Sequence, residues 1–488
     1  MRQLRLLALA APALLLVPVV ACEDSSSGSA TPFTFEAGPG FEAGPTPEAG
    51  PLPADDAGVD AADVFVPPAP KGVTVTVFDD VLPKANVRVI SQDATGAVLG
   101  DAKTDATGKL AIAAAPSMVT VLVTTSGAPS PVSFLAVADG DNLVVRIPPT
   151  VLSEQSPTGQ YAITFTPGGA GQSVRANVYV GGTYGCQATS DDTSAPAPFT
   201  IDLFPTCLAA SNTVFAQGTN GQFATDGFSF KKGVAAPVNA NMPVNVTLPA
   251  WTTPGTTTLK ATNIPGGSIQ NTSSLYMIAG GASFQANAGT LGNLTSAGQD
   301  YVTATGFADA YQAVVRTHDD VGNFTVESSI VRRETTTAPA TATLATFDFA
   351  NSLPYITNAA VDTTTASRPV LTLTSDSPLT AADAGVVVLS WTTATQGNAS
   401  WTFVVPASAA ATFKAPALPT DAEAVTFTPV GGVGVDSVVF FEATQLPSYK
   451  EAKLLPISPR ATLRLLDESV ALPANGTVRL TTLAPPPS

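Results

Sequence analysis

Histidine is nearly absent from this chain of 488 residues, with His318 the only one. A single imidazole excludes any site that needs two and weakens every Ser-His or Cys-His arrangement. Charge is also scarce, at 12% of residues, and cysteine is limited to three. No G-x-S-x-G, H-E-x-x-H or P-loop pattern is present, so the common hydrolase, metalloprotease and nucleotide-binding signatures are missing. Past the first 22 residues no stretch is long and apolar enough to cross a bilayer. The best run, Leu110 to Val123, is broken by Pro116 and falls short of the roughly 20 residues a span requires.

What is abundant points to β structure. Thr, Ala, Val, Gly and Pro dominate; β-branched residues suit strands, and Gly and Pro supply turns. The expected fold class is all-β, a series of tandem antiparallel β-sandwich modules. The length exceeds what one core organises, so several domains are expected. The net charge is −16. An acidic chain repels phosphate backbones, which argues against a nucleic-acid partner.

The chain opens with Arg2 and Arg5, an apolar run from Leu6 to Val20, then Ala21 and Cys22. A basic start, an apolar segment and a small residue before the cut are the three parts of a secretion signal. Pro12 and Pro18 interrupt the run and Glu23 and Asp24 end it, which disfavours a permanent span. Val19-Val20-Ala21-Cys22 resembles the bacterial lipobox. That resemblance implies a signal peptide over residues 1–21, cleavage after Ala21, and a diacylglyceryl thioether and amino-terminal acylation on Cys22. Two or more acyl chains hold a protein stably on a membrane. The implied location is the outer membrane of a cell envelope, on its periplasmic or its surface face.

Residues 22–70 carry nine acids and no Lys or Arg, and a six-residue unit repeats as FEAGPG, FEAGPT and PEAGPL. Such Pro, Gly, Ala and Glu content cannot bury enough apolar area to offset chain entropy, so this stretch is expected to be a disordered tether. It would span about 150 Å as polyproline II and about 40 Å as a coil.

Order is expected from Lys71. Val73, Val75 and Val77 alternate with Thr74, Thr76 and Phe78, the period of a strand with one buried face. Further strands fit Val87 to Ile90, Leu110 to Ala113, Val119 to Val123 and Leu143 to Ile147. Asp93-Ala94-Thr95-Gly96 and Asp105-Ala106-Thr107-Gly108 read as turns. Leu82-Pro83-Lys84-Ala85-Asn86-Val87-Arg88-Val89, followed by Thr104-Asp105-Ala106-Thr107-Gly108-Lys109-Leu110, resembles the carboxypeptidase regulatory-like domain, a transthyretin-like sandwich. The resemblance covers residues 71–148 and implies a non-catalytic structural module.

Pro167-Gly168-Gly169 with Tyr179-Val180-Gly181-Gly182 is echoed by Pro265-Gly266-Gly267 with Met277-Ile278-Ala279-Gly280-Gly281, suggesting two copies of one β module over residues 149–250 and 251–354. The region 355–488 carries strand patterns at Val370 to Thr374, Val386 to Trp391, Trp401 to Val405, Val425 to Phe427, Val438 to Phe441 and Ala461 to Leu466. It resembles immunoglobulin or fibronectin-like sandwiches. Trp391 and Trp401 are either core residues or a platform for sugar stacking.

Chemistry-bearing candidates are few. With Cys22 committed to lipid, Cys186 and Cys207 form an even pair that an oxidising compartment favours bridging, with two free thiols as the alternative. His318, in Arg316-Thr317-His318-Asp319-Asp320 before Val321-Gly322-Asn323, reads as a solvated turn residue. Ser229-Phe230-Lys231-Lys232 fits S-x-x-K, but its S-D-N and K-T-G partners are absent and the segment reads as a strand. Asp139-Gly140-Asp141-Asn142 supplies too few oxygens for Ca²⁺ and reads as a tight turn. No motif calls for a cofactor or metal. The expected function is therefore non-enzymatic: binding or adhesion to a protein or glycan ligand, or a scaffold or stalk with no ligand. A hydrolase built on a distant carboxylate pair is the remaining alternative.

Overall fold

The computed structural model describes most of the chain between residues 72 and 484. Residues 1–71 and 485–488, the connections 148–158, 165–172, 180–186, 191–198, 204–210, 289–297 and 458–471, and shorter stretches between strands lie outside the described residues. The expected tether, Cys22 with its expected lipidation, both Cys186 and Cys207, and the strand expected at Ala461 to Leu466 all fall there.

The chain is all-β, in four groups of seven principal strands. The first contains β1 (Val73–Asp79), β2 (Arg88–Gln92), β3 (Val98–Lys103), β4 (Lys109–Ile112), β5 (Met118–Leu122), β6 (Val132–Leu135) and β7 (Asn142–Ile147). The second contains β8 (Gly159–Thr164), β9 (Ser173–Tyr179), β10 (Gln187–Ser190), β11 (Phe199–Leu203), β12 (Ser211–Thr219), β13 (Thr225–Ala235) and β14 (Val244–Thr247). The third contains β15 (Pro254–Leu259), β16 (Gln270–Ala279), β17 (Ala282–Ala288), β18 (Gln299–Ala304), β19 (Ala310–Val321), β20 (Phe324–Thr335) and β21 (Thr341–Thr343).

These three groups share one connectivity. In each, the first strand pairs in parallel with the seventh and antiparallel with the fourth: β7-β1-β4, β14-β8-β11 and β21-β15-β18. The remaining strands pair in the order third, second, fifth, sixth: β3-β2-β5-β6, β10-β9-β12-β13 and β17-β16-β19-β20, and in the third module the two sets also join, through β17 and β18. The recurrence of both sheets, including the parallel pair, marks one module built three times.

The fourth group differs. It holds β22 (Ile356–Asp362), β23 (Val370–Ser375), β24 (Ala384–Thr393), β25 (Gly397–Pro406), β26 (Thr412–Lys414), helix α1 (Thr420–Thr426), β27 (Gly434–Ala443), helix α2 (Tyr449–Ala452) and β28 (Thr477–Ala484). β22-β23-β26 make one sheet and β28-β27-β24-β25 the other, with only antiparallel pairs inside the group.

The modules are not joined in chain order. β28 pairs with β20 of the third module, and β25 pairs in parallel with β6 of the first. One sheet therefore runs without a break from the third module through the fourth into the first. Where it crosses the fourth module it is covered on both sides. One face contributes Val386, Val388, Val439, Phe441 and Leu480 to a core shared with Val73, Val75, Leu143 and Val145. The opposite face gives Val387, Leu389, Phe403, Val438 and Phe440 to a core with Ile356, Leu371 and Phe413. A strand buried on both faces needs apolar residues at every position, which the runs Val386-Val387-Val388-Leu389 and Val438-Val439-Phe440-Phe441 supply.

The second module packs on the third through rings. Phe215 and Phe228 enter the core of Phe284, Phe307 and Tyr311, with centroids 4.8 Å apart for Phe215 and Phe307 and 4.7 Å for Phe284 and Phe307. The neighbours of Phe215 on β12, Val214 and Ala216, face the second module's own core.

Two local expectations need correction. Val425 lies in α1, not in a strand: Asp421 and Glu423 occupy the first turn, where acids favour a helix N-terminus, and Ala422 and Thr426, four residues apart, are both buried. His318 is a strand residue inside β19, half-buried and paired with Gln270 and Glu327. The hairpin reverses later, beyond Val321, which pairs with Phe324.

Candidate functional site

The two Asp-x-Thr-Gly turns are built alike. Asp93 Oδ1 accepts from the backbone N–H and hydroxyl of Thr95 and from Ala97 N–H; Asp105 Oδ1 accepts the corresponding three from Thr107 and Lys109. Gly96 and Gly108 take φ of 78° and 71°, a region that favours glycine. The Thr95 hydroxyl foremost holds the Asp93 carboxyl below its usual range, and the Lys109 backbone N–H does so for Asp105.

The first of these turns sets the hairpin of β2 and β3. Among the described residues β3 pairs only with β2, as the terminal strand of the long sheet. Its register against β2 skips Leu99, a bulge between the Ser91–Gly100 and Gln92–Val98 pairs. Val98 and Leu99 are exposed at 40% and 57%. The hairpin is braced from the fourth module. Ala417 N–H donates to the Gly96 carbonyl at 2.8 Å, Arg368 Nη2 to the Thr95 carbonyl at 2.6 Å, and Arg368 Nε to the Ala415 carbonyl at 3.0 Å. Arg88 bridges Asp101 on β3 and Asp421 at the start of α1, and these hydrogen bonds, Asp101 foremost, raise its pKa further. The outcome is a six-residue open edge, held in place from behind.

A second cluster lies where the first and fourth modules meet. Tyr449 of α2 places its hydroxyl 2.6 Å from the Leu135 carbonyl and 2.8 Å from that of Val404, at the seam between β6 and β25. Burial, with the Asp141 charge nearby, pushes its pKa well above that of a free phenol. Lys453 pairs with Asp141, the side chains being 2% and 1% exposed. Trp401 crosses the same junction, its Nε1–H donating to Ser133 Oγ at 2.8 Å.

The other sequence candidates have structural partners. Trp391 and Trp401 are 4% and 0% exposed and pack on Phe427 with centroids 4.8 and 5.9 Å away, which removes them as a sugar platform. Ser229 is buried and donates to the Pro249 carbonyl at 2.7 Å, while Lys232 pairs with Asp309 at 3.1 Å over the Phe307 ring. S-x-x-K here is strand sequence. In the Asp139 turn, Asp139 accepts from Gly72 N–H at 2.7 Å and Gly140 has φ of 79°. His318 faces Glu327, which Arg316 also contacts at 3.2 Å. Burial raises the Glu327 carboxyl pKa, and Arg316 and His318 oppose the shift. Among the described residues, no group of three or more His, Cys, Asp and Glu is placed to hold a metal ion, and no helix is long and apolar enough to cross a membrane.

The open β3 edge was not singled out from sequence, and Asp141 was read only as part of a turn, without its Lys453 partner. The edge had a local signal, the alternation break at Val98-Leu99-Gly100; the pair, 312 residues apart, had none.

No family model matches the chain, and no curated protein matches it. Among solved structures, the Bacillus anthracis TIE protein aligns over 57% of this chain and 50% of that one, at 9% identity and a TM-score of 0.14. This chain thus spans half the length of that structure.

Proposed function

We propose that this protein is a lipid-anchored, non-enzymatic binding protein of a bacterial cell envelope, which takes a strand of a protein ligand on the edge of β3. The observation that carries this reading is an exposed terminal strand braced by a neighbouring module. A strand added to a sheet edge gains main-chain hydrogen bonds, and an edge already held rigid loses little entropy on binding. The bulge at Leu99 and the charges of Asp101 and Lys103 are devices that guard an edge against self-association, so a partner has to match them. The anchor is supported by the basic start, the apolar run and the lipobox-like Val19 to Cys22, and the immunoglobulin-like and carboxypeptidase regulatory-like assignments by the residues quoted above. Burial of both tryptophans moves the expectation from glycan toward protein.

Two experiments test the two halves. Cys22→Ala should abolish incorporation of radiolabelled palmitate; retained label refutes the anchor. Lys103→Pro, which removes an outward-facing edge donor, should abolish capture of envelope proteins while leaving the far-ultraviolet circular dichroism intact. Unchanged capture refutes the edge. Protease treatment of intact cells then places the module on one face: full protection would sink surface adhesion. A scaffold role is the second reading, favoured by the unbroken sheet through three modules.

A further inference from the structure

The Lys453–Asp141 pair does nothing for the β3 edge, and its setting is unusual for an ion pair. Both side chains are almost wholly buried. The ammonium lies 4.6 Å from the centroid of the Tyr449 ring and 3.3 Å from the Ala136 carbonyl, and Ala136 holds φ of 48°, a strained value for a residue with a side chain. The carboxylate oxygen that Lys453 contacts, Oδ2, also accepts from Ala138 N–H at 2.8 Å. Burying two opposite charges costs desolvation that their attraction does not always repay. Two reactive groups held together away from water have a large effective concentration.

We propose that Lys453 and Asp141 condense into an intramolecular amide that ties α2 of the fourth module to the turn before β7 of the first. Proton transfer within the pair yields a neutral amine and a carboxylic acid. Nζ attacks Cγ, one bond from the contacted oxygen, and a tetrahedral centre forms with Oδ2 held by Ala138 N–H in the manner of an oxyanion donor. The new C–N bond is retained, the Cγ–Oδ1 bond breaks, and Oδ1 leaves as water with two protons, one from the acid and one from nitrogen. The balance is ammonium plus carboxylate to amide plus water, with no oxidant, reductant or co-reactant. The product loses both buried charges and keeps both hydrogen bonds: the amide oxygen accepts from Ala138 and the amide N–H has the Ala136 carbonyl. The cross-link would close a loop containing the second and third modules, so the sheet seam at β6 and β25 would be held covalently.

Peptide mapping of the full chain after denaturation and proteolysis tests this. The expected result is a branched species joining the Asp141 and Lys453 peptides, lighter by one water than their sum, and faster migration of the denatured protein than of its Lys453→Met variant. Linear peptides carrying unmodified Asp141 and Lys453, recovered in full from the folded wild-type chain, would overturn the proposal whatever the variant does. Asp141→Ala should also lack the branched species; its persistence would show that another carboxylate is the acceptor and overturn the assignment.

Discussion

Trp401→Ala measures whether the first and fourth modules are one cooperative unit. The indole is fully buried, stacked on Phe403 with centroids 5.1 Å apart and bonded to Ser133 of the first module. Truncating a buried Trp costs about 3 to 5 kcal/mol in transfer and cavity terms. Ser133 keeps a second partner, Thr120 Oγ1 at 2.8 Å, so the change does not leave its hydroxyl unpaired. At about 1.4 kcal/mol per tenfold, amides that exchange through this unit's opening should speed up by about a hundred- to several-thousand-fold. The informative peptides are those of the other module: if β25 and β6 belong to one sheet, those covering Met118–Leu122 and Val132–Leu135 must accelerate with Ala384–Pro406. Hydrogen exchange read by mass spectrometry on the full chain gives both sets together. Acceleration confined to the fourth module would refute the shared unit. Trp401→Phe keeps the ring contact and loses the hydrogen bond, so it should cost only about 1 kcal/mol of that exchange free energy.

Other perturbations probe backbone fit and charge. At Gly385 an added Cβ would lie 2.5 Å from Phe440 Cε1, so Gly385→Ala should lower the denaturation midpoint by the equivalent of about 1 to 3 kcal/mol, measured by urea unfolding. Gly108 and Gly306 have φ of 71° and 74°, but only at Gly108 would a Cβ meet backbone, 2.6 Å from the Val77 carbonyl. Gly108→Ala should therefore cost more than Gly306→Ala in the same assay, which isolates the φ effect at about 1 kcal/mol. Asp93 and Asp105 have folded pKa values below their unfolded ones, so their stabilisation is present above the usual carboxylate range and is lost as pH falls through the folded values. The Ala97 and Lys109 amides should lose protection in acid, and Asp105→Asn should remove that pH dependence at Lys109. Glu327 has the opposite sign: its raised value makes it oppose folding at neutral pH, an opposition that fades as pH falls through the folded value.

The strand content of this fold was legible because burial writes itself into the sequence: a strand with one covered face alternates, as Val73, Val75 and Val77 do, and one covered on both faces is apolar throughout, as Val386 to Leu389 is. The Asp-x-Thr-Gly turns were equally legible, since their hydrogen bonds close within four residues. What escaped was anything decided between distant segments. α1 escapes a local reading because Val425-Thr426-Phe427 suits a strand, whereas Ala422 packs in the core that holds both tryptophans and Thr426, one turn on, is buried too, which fits a helix. His318 escapes because Asp319 and Asp320 resemble turn residues, yet both continue β19 opposite Val326 and Thr325.

The deeper reason the module order escaped is that β28, the last of the described strands, is placed in the middle of the sheet. It forms eight pairs with β20 and six with β27, so the third and fourth modules share it as neither would if each were closed. A strand inserted this way makes the interface part of the fold and not a contact between finished domains. It also means that the seam between β6 and β25, with three paired positions, is the narrower of the two links that carry the continuous sheet from module to module. Tyr449, Trp401 and the Lys453–Asp141 pair are all gathered at that seam, where few backbone hydrogen bonds hold the sheet together and side chains, or a covalent amide, have to carry the connection.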